Sequence, residues 1–127
     1  MSSLTDYAEN AVLNLLFRNT PLAAVSTLRM GLFTVAPTDA GGGTEVSGAG
    51  YARQPVTFSA PSGGAISNTA AVTYTATGGN FGTVVAVGFF DAASGGNMIA
   101  WDAITSAVVN DGDSLDFAIG NIDISLD

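Results

Sequence analysis

Over the first eighteen positions the apolar residues recur at helical spacing. Leu4, Ala8, Ala11, Val12, Leu15 and Leu16 follow the 3.6-residue period, and Leu13 and Phe17 widen the stripe. Ser3 stands where a cap is needed. Asp6 takes the capping-box position three residues on, with Asp in place of the usual Glu. Asp6 and Glu9 complement the positive end of the helix dipole. Arg18 suits the other end, and Asn19 followed by Pro21 stops the helix. The pattern predicts a helix over about 4–18 that is apolar over more than half its surface. Such a helix is expected to be buried on several sides.

Beyond Pro21 the apolar period shortens to two. Leu28 to Val35 places Leu28, Met30 and Leu32 on one face and Arg29, Gly31 and Phe33 on the other. Tyr51 to Phe58 is a second strand, and Pro55 confines it to an edge or a bulge. Ala71 to Thr75, Thr83 to Asp91, Met98 to Asp102, Ser114 to Ile119 and Asn121 to Leu126 complete the set. Thr83 to Asp91 reads as buried on both faces. The segments between are loops rich in Gly, among them 36–44, 60–68 and the Asp-Gly turn at Asn110 to Asp113. No helical pattern separates the strands, so a parallel sheet is not expected. The prediction is one mainly β domain over 1–127. It is an antiparallel β-sandwich or flattened barrel of about seven strands with one N-terminal helix.

Composition narrows what such a domain can do. The 127 residues include no His, no Cys and no Lys; 47% are hydrophobic and 11% charged. Typical soluble domains are about a quarter charged. A chain this apolar is not disordered, and its excess apolar surface calls for a partner copy or a larger scaffold. The net charge of −8, with three arginines at 18, 29 and 53, offers no basic face for nucleic acid and no attraction to an anionic membrane. The apolar run Ala11 to Phe17 is interrupted by Asn14 and is too short to span a bilayer. Met1 to Glu9 carry no basic stretch, so no secretory leader is expected.

The same omissions remove most catalytic chemistry. Without His, Cys and Lys there is no His-containing triad, thiol nucleophile, Ser–Lys dyad or common zinc site. Carboxylates remain, and Asp91, Asp102 and Glu45 are the candidates for a glycosidase-type pair. Asp91 and Asp102 end neighbouring strands, and the plainer reading makes them polar strand ends beside turns. Asp111 and Asp113, with Asp116 as a further ligand, offer oxygen atoms for Ca²⁺. The spacing lacks the final Glu of an EF-hand, and a solvated Asp-Gly turn is the preferred reading. Gly41 to Gly43 and Gly48 to Gly50 do not form a phosphate loop, since no Lys-Ser/Thr follows. They read as a flexible arm or as turns needing positive φ. Trp101 lies within an apolar strand and reads as core or interface. No cofactor, metal or catalytic residue is expected.

Several segments taken together carry a resemblance. They are Leu4 to Asn10, Gly31 to Thr34 with Pro37 to Gly41, Thr44 to Arg53, Ile66 to Thr73, Gly88 to Asn97, and the ending Asp123 to Asp127. Their order and spacing resemble a family of small tailed-bacteriophage virion proteins. These are commonly labelled tail fibre proteins, and some are head decoration or cement proteins. The resemblance spans nearly the whole chain, and Glu45 to Arg53 is its most specific piece. It implies a repeated structural subunit of the virion with no cofactor. The leading expectation is a capsid decoration protein that forms a small oligomer, with a trimer favoured, and docks on the major capsid protein or other virion proteins. Leu13, Leu16 and Phe17 on the helix, with Glu45, Tyr51 and Arg53 at the Gly-rich arm, are the expected contact residues. The alternatives are a tail or tail-fibre component and, more distantly, a carbohydrate-binding module.

Overall fold

The strongest β-forming segment, with Val84, Val85, Val87, Phe89 and Phe90, becomes the central strand of the protein. In a computed structural model, which describes residues 3–126, this strand is β7 (Gly82–Phe90), flanked by β2 (Arg29–Val35) and β8 (Met98–Val109). The same sheet takes β1 (Ser3–Leu4) against β8, and β3 (Thr44–Glu45) and β4 (Gln54–Pro55) against β2. All of its pairings are antiparallel. Two small ladders form the second layer. One pairs β6 (Val72–Thr75) with β9 (Ser114–Phe117). The other pairs β5 (Ala65–Ser67) with β10 (Asp123–Ser125). The architecture is a β-sandwich with an N-terminal helix, not a closed barrel.

The main core lies between these layers. Met30, Leu32, Val87, Phe89 and Ala100 of the large sheet meet Val72, Tyr74 and Ile122, with Leu115 and Phe117 packed at the margin. The Tyr74 hydroxyl donates to the carbonyl of Met30, which satisfies the polar end of a ring that is 2% exposed. The opposite face of the sheet holds a smaller cluster of Phe33, Ala86 and Phe90, joined by Val85, Met98 and Trp101. β7 contributes to both clusters, as its unbroken apolar run predicts.

Each of the seven expected strands has a counterpart, although the expected Tyr51 to Phe58 shrinks to Gln54–Pro55, with Phe58 making an isolated bridge to Asn68. Three further short ones lie where the sequence reads as helix start or loop: Ser3–Leu4, Thr44–Glu45 and Ala65–Ser67. β8 runs to Val109 instead of stopping near Asp102, which puts Asp102 in mid-strand opposite Val87. The Asp-Gly segment does not close a hairpin. It is a corner where the chain leaves the large sheet at β8 and enters the second layer at β9, which pairs with β6. Asn68 fixes that second layer. Its amide donates to the carbonyls of Ala70 and Ala118, and its Oδ1 accepts from the Ile122 N–H, while the residue is 2% exposed.

The helix differs from the expectation in two ways. α1 spans Asp6–Phe17, and its N-cap is Thr5, whose hydroxyl accepts from the Ala8 N–H. Ser3 and Leu4 are drawn instead into pairing with Trp101 and Ala100, because a sheet edge offers two backbone partners that a fraying helix turn does not. Thr5 also donates to the carbonyl of Met98, so the cap ties the helix start to β8. The helix is not buried on several sides. Ala8 is its buried residue, whereas Leu13, Leu16 and Phe17 are 53%, 67% and 77% exposed. One chain has a single layer to offer it, and that layer covers one side.

Candidate functional site

The Gly-rich segment expected as an arm lies against the edge of the large sheet. Thr44 and Glu45 pair with Val35 and Phe33, and the Val46 N–H donates to the carbonyl of Leu32, which buries Val46. Gly48-Ala49-Gly50 then reverses the chain with three consecutive positive φ angles, of 72°, 54° and 74°. Glycine supplies the first and third at little steric cost, and Ala49 is held between them. The reversal returns Tyr51 and Arg53 to the face where Glu45 points.

There the three residues meet. Arg53 forks onto the carboxylate, with Nε donating to Oε2 and Nη2 to Oε1, both at 2.8 Å. The Tyr51 hydroxyl donates to Oε2 at 2.6 Å and accepts from the Leu32 N–H. Arg53 Nη1 donates to the carbonyls of Ala92 and Gly95 in the β7–β8 hairpin loop, and the guanidinium lies 3.5 Å from the centre of the Phe90 ring. Burial pushes the Glu45 carboxyl up. The hydrogen bonds from Arg53 and Tyr51 and the Arg53 charge outweigh it, so its pKa lies below the ordinary carboxylate value. Burial, then the hydrogen bond to Glu45, pushes the Tyr51 phenol well above its usual value. The network is possible because residue 31 is glycine. A Cβ there would stand 2.7 Å from Glu45 Oε2 and 2.8 Å from Tyr51 Oη.

This arrangement uses up its own chemistry. The Arg53 side chain is 7% exposed and Glu45 25%, and each neutralises the other. Arg53 therefore finds its carboxylate within the chain, and the network joins four segments: β2 through the Leu32 N–H, β3, the stretch leading to β4, and the 91–97 loop. Of the remaining carboxylate candidates, Asp91 lies near enough to feel the Arg53 charge. Asp91 accepts from the backbone and side chain of Asn97, which closes the hairpin and holds its pKa down. Asp102 sits opposite Val87, four residues before Asp91, or roughly 13 Å away along the sheet. Asp111 accepts from the Gly78 N–H, and Asp113 from that of Asn110, so both brace backbone turns. Trp101 is half-buried and donates its indole N–H to Asp39.

The apolar half of the expected contact set lies elsewhere. Leu13, Leu16 and Phe17 follow i, i+3, i+4 spacing along the outward side of α1, and Leu22 and Val25 in the extended stretch after it are 44% and 41% exposed. Between the inward side of the helix and that stretch runs an apolar groove of about 440 Å³. Sequence reasoning missed this groove, because 21–27 carries no period and its path is set by packing. It also missed Asn68, which reads as a loop residue. The signal available was an Asn just before a Thr-Ala-Ala-Val strand start.

A family model described as podophage GP4 fiber I protein gp80 matches residues 3–125. The chain belongs to this family. It is thus a structural protein of the phage virion, of the fibre type, as the resemblance implies. The match takes in the helix, the Glu45–Arg53 network and both layers of the sandwich, so the gp80 family fold is the whole described domain. A comparison with curated proteins finds no match. No helix among the described residues is long and apolar enough to cross a membrane.

Proposed function

We propose that this gp80-family chain is a fibre component that acts by docking and self-association and carries out no reaction. The observation that carries the reading is the outward side of α1. Leu13, Leu16 and Phe17 are all more than half exposed on a helix whose opposite side is anchored to the sheet through Thr5 and Ala8. A rigid domain that holds three large apolar side chains in water presents a surface built to be covered. Glu45, Asp91, Asp111 and Asp113 are tied into an ion pair or turn caps, which supports a scaffold role. The buried network supports it too, since it stiffens the sheet edge and the hairpin loop beside it.

A second reading, head decoration, is favoured by one observation. The described residues form a single sandwich, and no repeat of the kind that builds a fibre shaft occurs within them. A decoration subunit stiffens a shell by adding interface across the joints between capsid subunits. In that case the partner is the major capsid protein, and a trimer seated where capsid subunits meet is the expected form. Locating the chain in a reconstruction of the particle tests both. Density at the tail in a handful of copies supports the fibre. Density over the capsid in hundreds of copies replaces it with decoration. Saccharide release by the isolated subunit would refute both.

A further inference from the structure

The groove beside α1 is the space beneath a segment that no hydrogen bond holds. The helix ends with the N–H groups of Arg18 and Thr20 donating to the Asn14 carbonyl, and Asn19, at a φ of 53°, turns the chain back. Residues 21–27 then run beside the helix across the gap of about 440 Å³. All seven are exposed, and none makes a hydrogen bond among the described residues. The next anchor is Leu28, whose carbonyl accepts from the Val56 N–H. Pro21 biases Thr20 to extended backbone, and the segment carries no glycine in a chain that has sixteen. Straightened, Thr20 to Leu28 spans roughly 27 Å.

The unit before this segment, β1 with α1, is attached at one compact seat. Ser3 and Leu4 pair with Trp101 and Ala100, and Leu4 packs on the main core. The Thr5 hydroxyl donates to the carbonyl of Met98, and the N–H groups of Thr5 and Asp6 donate to those of Ile99 and Asp39. Every one of these partners lies beyond residue 27. The sandwich alone therefore builds the seat, and the same unit of an identical chain meets the same partners on it. Transfer to a neighbouring copy forfeits none of these contacts, and straightening 21–27 breaks no hydrogen bond. What decides between the closed and the exchanged form is the new surface that exchange brings together, which includes the hinge and the chain on either side of it. The apolar excess sits there: Leu13, Leu15, Leu16, Phe17, Leu22 and Val25 are all exposed.

We infer that residues 21–27 are the hinge of a strand-and-helix exchange, in which β1 and α1 of one copy seat on β8 of a second copy and complete the edge of its large sheet. The inference rests on the proposed self-associating role and says which residues cross between copies. Two copies that exchange reciprocally close a dimer. Copies that each pass the unit to the next close a ring, such as a trimer. In both, the exposed end of the helix and the hinge come to lie where copies meet.

The chain has no cysteine, so an engineered pair reads the exchange directly. Leu4 and Ala100 face each other across β1 and β8, and in the double variant Leu4→Cys with Ala100→Cys the volume lost at one position offsets that gained at the other. After oxidation of the full chain, a denaturing gel without reductant is expected to show more than half of the protein as linked dimers or trimers, which reductant returns to monomer. A disulfide closed within single chains overturns the exchange, and so do linked multimers that either single-cysteine variant forms as readily. If circular dichroism shows that the buried pair unfolds the protein, Asp6→Cys with Asp39→Cys takes its place. Both positions are exposed and are joined by the bond from the Asp6 N–H to the Asp39 carbonyl. A short bis-maleimide bridges them, and the same two outcomes decide. Sedimentation equilibrium of the wild-type chain separates this inference from the reading it rests on. Association at micromolar concentration with links confined to single chains overturns the exchange and leaves self-association standing. A monomeric wild-type chain overturns both.

Discussion

Replacing Arg53 with methionine removes four hydrogen bonds and a ring contact in one step. The guanidinium gives two bonds to Glu45, one to the Ala92 carbonyl and one to the Gly95 carbonyl, and it covers the face of Phe90. Methionine keeps most of the apolar volume against Phe90, so the loss is chiefly polar. Breaking a fully buried pair by removing one partner costs about 3–5 kcal/mol, because the other charge is left stranded. The Glu45 side chain keeps 25% of its exposure and the Tyr51 hydrogen bond, so water and the phenol recover part of that. The expected cost is about 3 kcal/mol, near the lower bound. For a domain of this size each kcal/mol moves the melting temperature by about 3–5 °C, which makes the expected drop roughly 9–15 °C. Thermal and urea unfolding followed by circular dichroism measure it, and the double variant Glu45→Met with Arg53→Met completes a cycle. The double variant is expected to be less damaged than the sum of the singles by about 2 kcal/mol, since it leaves no charge unpaired. Additive losses, or a single Arg53→Met loss within about 0.5 kcal/mol of zero, would show that the network holds nothing together.

Three other changes probe different parts of the same argument. Gly31→Ala thrusts a methyl group into the space of Glu45 Oε2 and Tyr51 Oη, and it is expected to cost about 1–3 kcal/mol and to expose Tyr51 to fluorescence quenchers. Asn68→Ala leaves the buried Ile122 N–H without its side-chain acceptor and takes a donor from the carbonyls of Ala70 and Ala118, the second of which keeps the Asn121 N–H. Its expected cost is about 2–3 kcal/mol in urea unfolding, with faster hydrogen exchange in β10 than elsewhere. Because the folded Glu45 pKa lies below the unfolded value, the unfolded chain binds more protons as pH falls. Stability from this group is full above the ordinary carboxylate range and is lost as pH drops through the folded value. Acid titration of stability is therefore expected to be shallower in Glu45→Gln than in the wild-type chain, and identical slopes would contradict it.

Which of these features the sequence dictated depends on how local their causes are. The period-two strands, the central place of β7, the edge position of Pro55 and the antiparallel class were legible, because side-chain alternation and turn chemistry act within a few residues. The start of α1 was not, since the competition between a Ser3 cap and pairing with Trp101 and Ala100 is decided by a strand almost a hundred residues away. The role of the Asp-Gly corner, the groove beside residues 21–27 and the task of Asn68 likewise depend on which layer each strand joins. The sequence by itself singled out Glu45, Tyr51 and Arg53 and marked Leu13, Leu16 and Phe17 as too apolar to face water. Only the tertiary structure separated the two groups. A reversal at Gly48 to Gly50 turns the polar three onto one another, where desolvation rewards pairing. The sheet has room for one side of the helix, and so the apolar three are left on the other.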